Sequence, residues 1–300
     1  MLDVFNIPGQ QDNVKIFYAA GTTAWQTWQK PRNCKFIWMM CMGSGGGGAG
    51  GGGNIGGVGV GTSGGGSGGV VKALFPANVL PDILYIFVGV GGAGGAGGTA
   101  SNNGAQGSTG VKSFVTITPV TIATPAVLNV VCVSGNIAAG GGFQTTGGSA
   151  ESIATINNAG LLSLANFSAI AGVAGNVNPT TGPTAITPLG SALTIGGGMG
   201  GDAAPGRTTG GAISATSISP TIAGGTIGQV GGSGIVSWKP FYSLGGAGGG
   251  GVDTGTPSTL GGNGGNGAYG SGGGGGGASA TGNGGAGGKG GDGLVIIATF

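Results

Sequence analysis

The apolar positions of this chain fall into short blocks, each followed by a stretch with almost no side chains. Val14–Tyr18 (VKIFY) is the first block and predicts a strand. Cys34–Met42 (CKFIWMMCM) is nearly continuous in apolar residues, and its length and turn-rich flanks predict a strand buried on both faces rather than a helix. Val70–Phe75 and Ile83–Val90 predict a further pair, joined through Pro76 and Pro81. Val111–Thr118 and Val127–Val133 add two more, and Gly293–Phe300 (GLVIIATF) reads as a clean last strand. That last block is the natural partner for the strand at 36–41 or the strand at 84–90, closing a domain end to end. Ser152–Ile170 is ambiguous. Leu161, Leu164 and Phe167 follow helical spacing, whereas Asn157–Gly160 reads equally well as a hairpin loop.

Between the blocks lies glycine: GGGGAGGGG over 45–53, a looser tract over 56–69, GGAGGAGGT over 91–99, GGNGGNGAYG from 261, six glycines over 272–277, and GGA, GGK, GGD triplets over 284–292. With 82 glycines and 13 prolines in 300 residues, disorder is the first reading to be tested. Disordered chains stay soluble through charge and low hydrophobicity. Here charged residues make up 5%, the net charge is +2, and the mean hydropathy is +0.33. A chain with so few ionic groups is expected to be packed, and packed against copies of itself.

Triplet glycine has three candidate meanings. Collagen needs proline or hydroxyproline at the intervening positions, and the triplet runs contain none. Phosphate-binding loops are excluded too: GxxxxGK[ST] is absent, and chance GxGxxG matches lack the strand, helix and acidic residue that give that motif its chemistry. The third meaning is a bundle of polyproline-II-like glycine helices. These rise about 3.1 Å per residue, so that 45–53 would span roughly 28 Å. Such helices have no internal hydrogen bonds and must pair their backbones with one another. The third residue of each triplet, Ala286, Lys289 or Asp292, would then face outward at the same edge. Ordering a residue costs about 1–2 kcal/mol, more for glycine, and a hydrogen bond returns only about 0.5–1.5 kcal/mol. Glycine tracts therefore need the apolar strands as clamps.

Catalytic chemistry has little material. Histidine is absent, Glu151 is the sole glutamate, and the aspartates are scattered singly, so no enzyme, cofactor or metal is expected. Nine dispersed basic residues make no patch for nucleic acid. Cys34, Cys41 and Cys132 lack zinc or disulfide spacing and read as free thiols. No segment approaches the ~20 apolar residues of a membrane span, and the start carries Asp3 where a signal peptide would be basic, so assembly in a cytoplasm is expected.

The expected fold is all-β, with a small sheet or sandwich clamping polyglycine-II-like tracts around a β-rich central insert. The divisions are an N-terminal arm or adaptor at 1–31, the first part of the glycine-rich β domain at 32–118, a Thr/Ser/Ala-rich insert at 119–235, and the second part of the glycine-rich domain at 236–300. Within the insert the only charges between Pro119 and Ile235 are Glu151, Asp202 and Arg207, the last two read as a solvated loop pair.

Trp28-Gln29-Lys30-Pro31, Phe36-Ile37-Trp38-Met39 entering a glycine run, Ile83–Gly92 and the closing GGKGGDGLVIIATF together resemble the glycine-rich domains of bacteriophage and other viral structural proteins, notably tail fibres. The likeness covers about 25–118 and 235–300 and departs in the long insert. It extends to tail-fibre-tip adhesins of T-even-like phages, whose glycine motifs form a polyglycine-II bundle and whose variable loops bind a bacterial receptor. Mycobacterial glycine-rich surface proteins share the GGA and GGN triplets, but their helical amino-terminal domain has no counterpart here. The resemblance implies a virion structural protein of fibre or spike type involved in host attachment. Its partners would be itself as a homo-oligomer, a trimer among the forms, other virion proteins and a host surface receptor. A capsid-decoration role and a fibre-borne depolymerase are the alternatives. Receptor-contact candidates are the side chains that interrupt glycine tracts, Tyr269, Phe143 and Asn263; the competing reading is that each packs on a neighbouring strand or subunit. Trp25, Trp28 and Trp38 read as core or docking residues rather than a sugar platform.

Overall fold

The computed structural model describes residues 13–53, 61–99, 101–119, 129–134, 140–141, 148–149, 164–176, 184–187, 192–256 and 260–300. It is all-β. A five-stranded antiparallel sheet runs in the order β1 (Val14–Phe17), β11 (Leu294–Thr299), β3 (Phe36–Met42), β4 (Val70–Pro76), β8 (Asn166–Ile170). A four-stranded sheet follows the order β2 (Gln26–Gln29), β5 (Ile83–Phe87), β6 (Phe114–Thr116), β7 (Val130–Val133), and β9 (Val236–Trp238) pairs with β10 (Phe241–Ser243) in a hairpin.

The two larger sheets pack face to face. Ile37, Met39 and Cys41 of β3, Phe75 of β4 and Ile297 of β11 meet Trp28, Leu84, Ile86 and Val115 from the second sheet in one apolar core. The opposite face of the first sheet, with Met40, Met42, Val70, Leu294 and Ile296, is covered by Trp238 and Phe241 of the hairpin and by Leu193 and Tyr269. This double cover is why β3 and β11 read as continuous apolar runs rather than as alternation. The last strand pairs with β3 from Leu294↔Met42 to Thr299↔Ile37, as its sequence led us to expect, and with β1 on its other side. Of the ambiguous 152–170 segment, 152–163 lies outside the described residues, and 166–170 is strand, paired with β4. Cys41 and Cys132 are buried and Cys34 half-buried, all as free thiols.

Eight of the strands continue into a glycine rod or receive one. Rod 43–53 leaves β3, 89–98 leaves β5, 171–176 leaves β8 and 244–252 leaves β10; rods 61–69, 102–112, 231–235 and 284–293 return into β4, β6, β9 and β11. The sheets thus sit at one end of the bundle and hold the rods in register.

The rods bond with a strict three-residue period. Gly43, Gly46 and Ala49 donate their N–H to Gly69, Gly66 and Ser63; Ser44, Gly47 and Gly50 donate to Val111, Ser108 and Ala105; Gly45, Gly48 and Gly51 donate to Gly291, Gly288 and Gly285. The carbonyls of the same rod accept along three other directions, from 89–98, from 271–280 and from Gly141. Rod 43–53 therefore has six neighbours, the hexagonal arrangement that three residues per turn imposes. Rods 271–280 and 244–252 are surrounded in the same way. Within the stretch 119–235, rod 195–202 bonds to 271–280 and 244–252, and 208–213 bonds to 244–252, in the same lattice.

Glycine is needed here for approach rather than for conformation. Among the described glycines only Gly21, Gly206, Gly228 and Gly270 have positive φ, and all four lie outside the rods. A Cβ built on Gly48 would stand 2.0 Å from the carbonyl oxygen of Gly274, and one on Gly45 would stand 2.0 Å from that of Ser271. Several of the side chains that enter the interior are small and hydrogen-bonded, while Ser63 Oγ is buried without a partner among the described residues and Met199 is fully buried in rod 195–202. Thr62 Oγ1 donates to the carbonyls of Ala49 and Gly276, and Ser271 Oγ to that of Ser243.

Candidate binding face

At the border of the lattice the same period turns every third residue outward. Rods 261–268, 284–293, 89–98 and 102–110 lie side by side, linked by Gly264 N–H to Ala286 O, Gly287 N–H to Gly95 O and Ala105 N–H to Ala96 O, each at 2.8–2.9 Å. Asn263, Asn266, Lys289, Ala93, Ala96, Ala105 and Ser108 are exposed along this face, and Ala286 and Asp292 are half-buried.

An N–H at the border has lost the neighbour that the hexagonal pattern would supply. Polar side chains of the adjacent rod replace it. Asn263 Oδ1 accepts from Ala286 N–H at 2.8 Å, Asn266 Oδ1 from Lys289 N–H at 2.9 Å, and Asp292 Oδ1 from Gly91 N–H at 2.8 Å. Asparagine suits this task because one oxygen can satisfy the neighbour while its NH2 stays available. Sequence reasoning foresaw an outward side chain at Asp292 and singled out Asn263, but missed Asn266 and the capping role of all three; the signal was the recurrence of Asn in GGN triplets beside the GGA, GGK and GGD run.

Where rods 261–268 and 284–293 approach the sheets, a cavity of about 280 Å³ opens between them, lined by Gly234, Val236, Asn266, Tyr269, Lys289 and Asp292 together with the intervening glycine backbone. Tyr269 borders it with its ring 5.8 Å from Tyr18 and 6.5 Å from Trp238, which in turn lies 5.6 Å from Phe241. Burial in this cluster pushes the Tyr269 phenol above the ordinary tyrosine value, and the Tyr18 and Asp292 charges add to the effect. Lys289 Nζ pairs with Asp292 Oδ1 at 2.8 Å, so the cavity wall holds one cation and one anion that offset each other.

Of the three sequence candidates, Tyr269 lines this cavity, Asn263 sits one triplet farther from the sheets and outside its lining, and Phe143 lies outside the described residues. Trp28 is buried in the main core, Trp25 packs on Phe87 at 5.7 Å, and Trp38 packs against the second apolar cluster. Asp202 is not a solvated loop partner. It is 3% exposed, accepts from Gly61 N–H at 2.7 Å and faces Arg207 at 3.7 Å. Its carboxylate takes up an N–H at the start of rod 61–69, where the lattice begins.

The rods' other ends are joined by turns, among them 203–207, 226–230 and 281–283. At this far end Val230 and Leu260, 62% and 58% exposed, are the two most exposed large apolar side chains among the described residues, and Ile227 is 42% exposed. Among the described residues no group of three or more His, Cys, Asp or Glu is placed to hold a metal ion.

Apolar sheets gripping one end of a hexagonal glycine lattice define a class of all-β protein whose interior is mostly backbone. The chain belongs to the glycine-rich domain family, whose model matches residues 19–299. No curated protein matches it.

Proposed function

We propose that this chain is a virion structural protein of fibre or spike type that displays host-contacting side chains on a stiff glycine lattice. The observation that carries the reading is the polarity of the bundle: one end of the rods is rooted in sheets, and the other presents turns bearing Ile227, Val230 and Leu260 in the open. A lattice cross-bonded in six directions resists bending, and loops on a rigid scaffold are where binding residues concentrate. Exposed large apolar groups at such a point fit contact with another macromolecule better than solvent. The reading assigns the chain no chemistry of its own, and its partners are further copies of itself, other virion proteins and a receptor on the host surface.

Gold-labelled antibody on purified particles tests the address, and blocking of particle adsorption by the recombinant protein tests attachment. Label at a fibre or tail end together with blocking is expected. Label spread over the capsid without blocking would favour the decoration role, and absence from particles would overturn both. Replacing Ile227, Val230 and Leu260 together by serine is expected to abolish blocking while leaving the unfolding midpoint nearly unchanged, because exposed positions contribute within about 0.5 kcal/mol each.

A further inference from the structure

The geometry points to a second contact site, on the flank rather than at the far end: the cavity beside Tyr269 binds a neutral saccharide unit. The inference takes its biological setting from the attachment reading but is argued from the cavity alone. At about 280 Å³ the space lies just under the range of ligand clefts, ~300 to 1,000 Å³, a size for a sugar ring or two rather than a folded partner. Its walls combine an aromatic surface with hydrogen-bonding groups. Tyr269 supplies an apolar ring face with a polar tip, suited to the C–H face of a pyranose and to one of its hydroxyls.

The polar groups have spare capacity of both kinds. Asn266 Oδ1 is committed to Lys289 N–H, which leaves Nδ2 as a donor with two hydrogens. Asp292 Oδ1 accepts from Gly91 N–H and Lys289 Nζ, which leaves Oδ2 as an acceptor. Hydroxyls, which donate and accept at once, match a wall of this kind. The charge balance excludes an anionic ligand: the Lys289 ammonium is already paired with Asp292 at 2.8 Å, so no net positive field remains to hold a phosphate or carboxylate. The open, partly polar lining equally disfavours a wholly apolar ligand.

Isothermal titration of the full chain with neutral trisaccharides built from glucose, galactose and N-acetylglucosamine tests this, with inorganic phosphate as competitor. At least one saccharide is expected to bind, and phosphate is expected not to displace it. Asn266→Asp keeps the oxygen that caps Lys289 and removes the amide donor, and is expected to weaken binding about tenfold, the scale of one good hydrogen bond in a site. Tyr269→Ala is expected to weaken it at least as much. Asn263→Asp makes the same chemical change one triplet away and is expected to leave the affinity within about twofold, less than a lost hydrogen bond. The inference is overturned if no panel member binds, if phosphate competes, or if Asn266→Asp and Asn263→Asp behave alike. Should it fail while the far-end serine variant still loses blocking, the attachment reading stands. Should the protein be absent from particles, the titration still judges the cavity.

Discussion

A methyl group on Gly48 would meet a backbone oxygen, that of Gly274, at 2.0 Å. No side-chain rotation can relieve such a contact, so Gly48→Ala must push two rods apart and stretch the bonds between them. A loss of about 3 kcal/mol, the upper part of the range for overpacking, is expected from urea unfolding. Ala96→Ser, on the exposed side of rod 89–98, adds one atom as well and is expected to stay within about 0.5 kcal/mol. Lys72 is the converse case. It lies half-buried on β4, opposite Met40, and burial lowers its pKa. A lysine whose folded-state pKa is depressed costs stability wherever it must carry charge, so Lys72→Met is expected to stabilise the protein at neutral pH. That advantage is expected to shrink as pH rises through the lowered folded-state value and to be gone above the ordinary lysine pKa, where the amine is neutral in both states; midpoints at pH 7 and pH 11 check the sign. At this scale the triplets were informative. In the bordering rods the X residue between paired glycines faces outward, whereas Ala49 and Ala247, in the same GGAGG setting within central rods, are buried. What they could not reveal was which X residues cap a neighbouring rod, because that depends on which rods are adjacent. Asp202 shows the same blindness: beside Arg207 it reads as a surface pair, yet its partner Gly61 is 141 residues away.

Strands convert apolar burial into order for the rods they adjoin. Ile297 is fully buried on β11, between Met39 of β3 and Lys15 of β1 in the ladder. Ile297→Ala is expected to cost about 2–5 kcal/mol, and the loss is expected to appear in rods 284–293 and 43–53 as well as in the sheet. A variant in which the sheet loosened but the rods kept full amide protection would contradict the clamp. The strands 36–42, 70–76, 83–87 and 294–299 were legible because each is a compact apolar block bounded by glycine or proline. Their distribution over two sheets was not, since the alternation that would mark an inner face is erased where both faces are covered. The helical spacing of Leu161, Leu164 and Phe167 gave no purchase on 166–170, where pairing with β4 sets the conformation.

At the scale of the whole molecule, the glycine lattice replaces much of what a hydrophobic core does elsewhere. Ordering glycine is costly, and the return comes as backbone bonds in six directions, available only once the strands have aligned the rods. The central rods 43–53, 244–252 and 271–280 should then be the least able to open, and the bordering rods 89–98 and 261–268 should open more readily. Amide hydrogen exchange resolved by residue tests this most directly. Protection in the three central rods comparable to that of β3 and β11, falling toward the border rods, is the expected result. Exchange of the central rods at the rate of an unstructured chain, with β3 and β11 still protected, would contradict it.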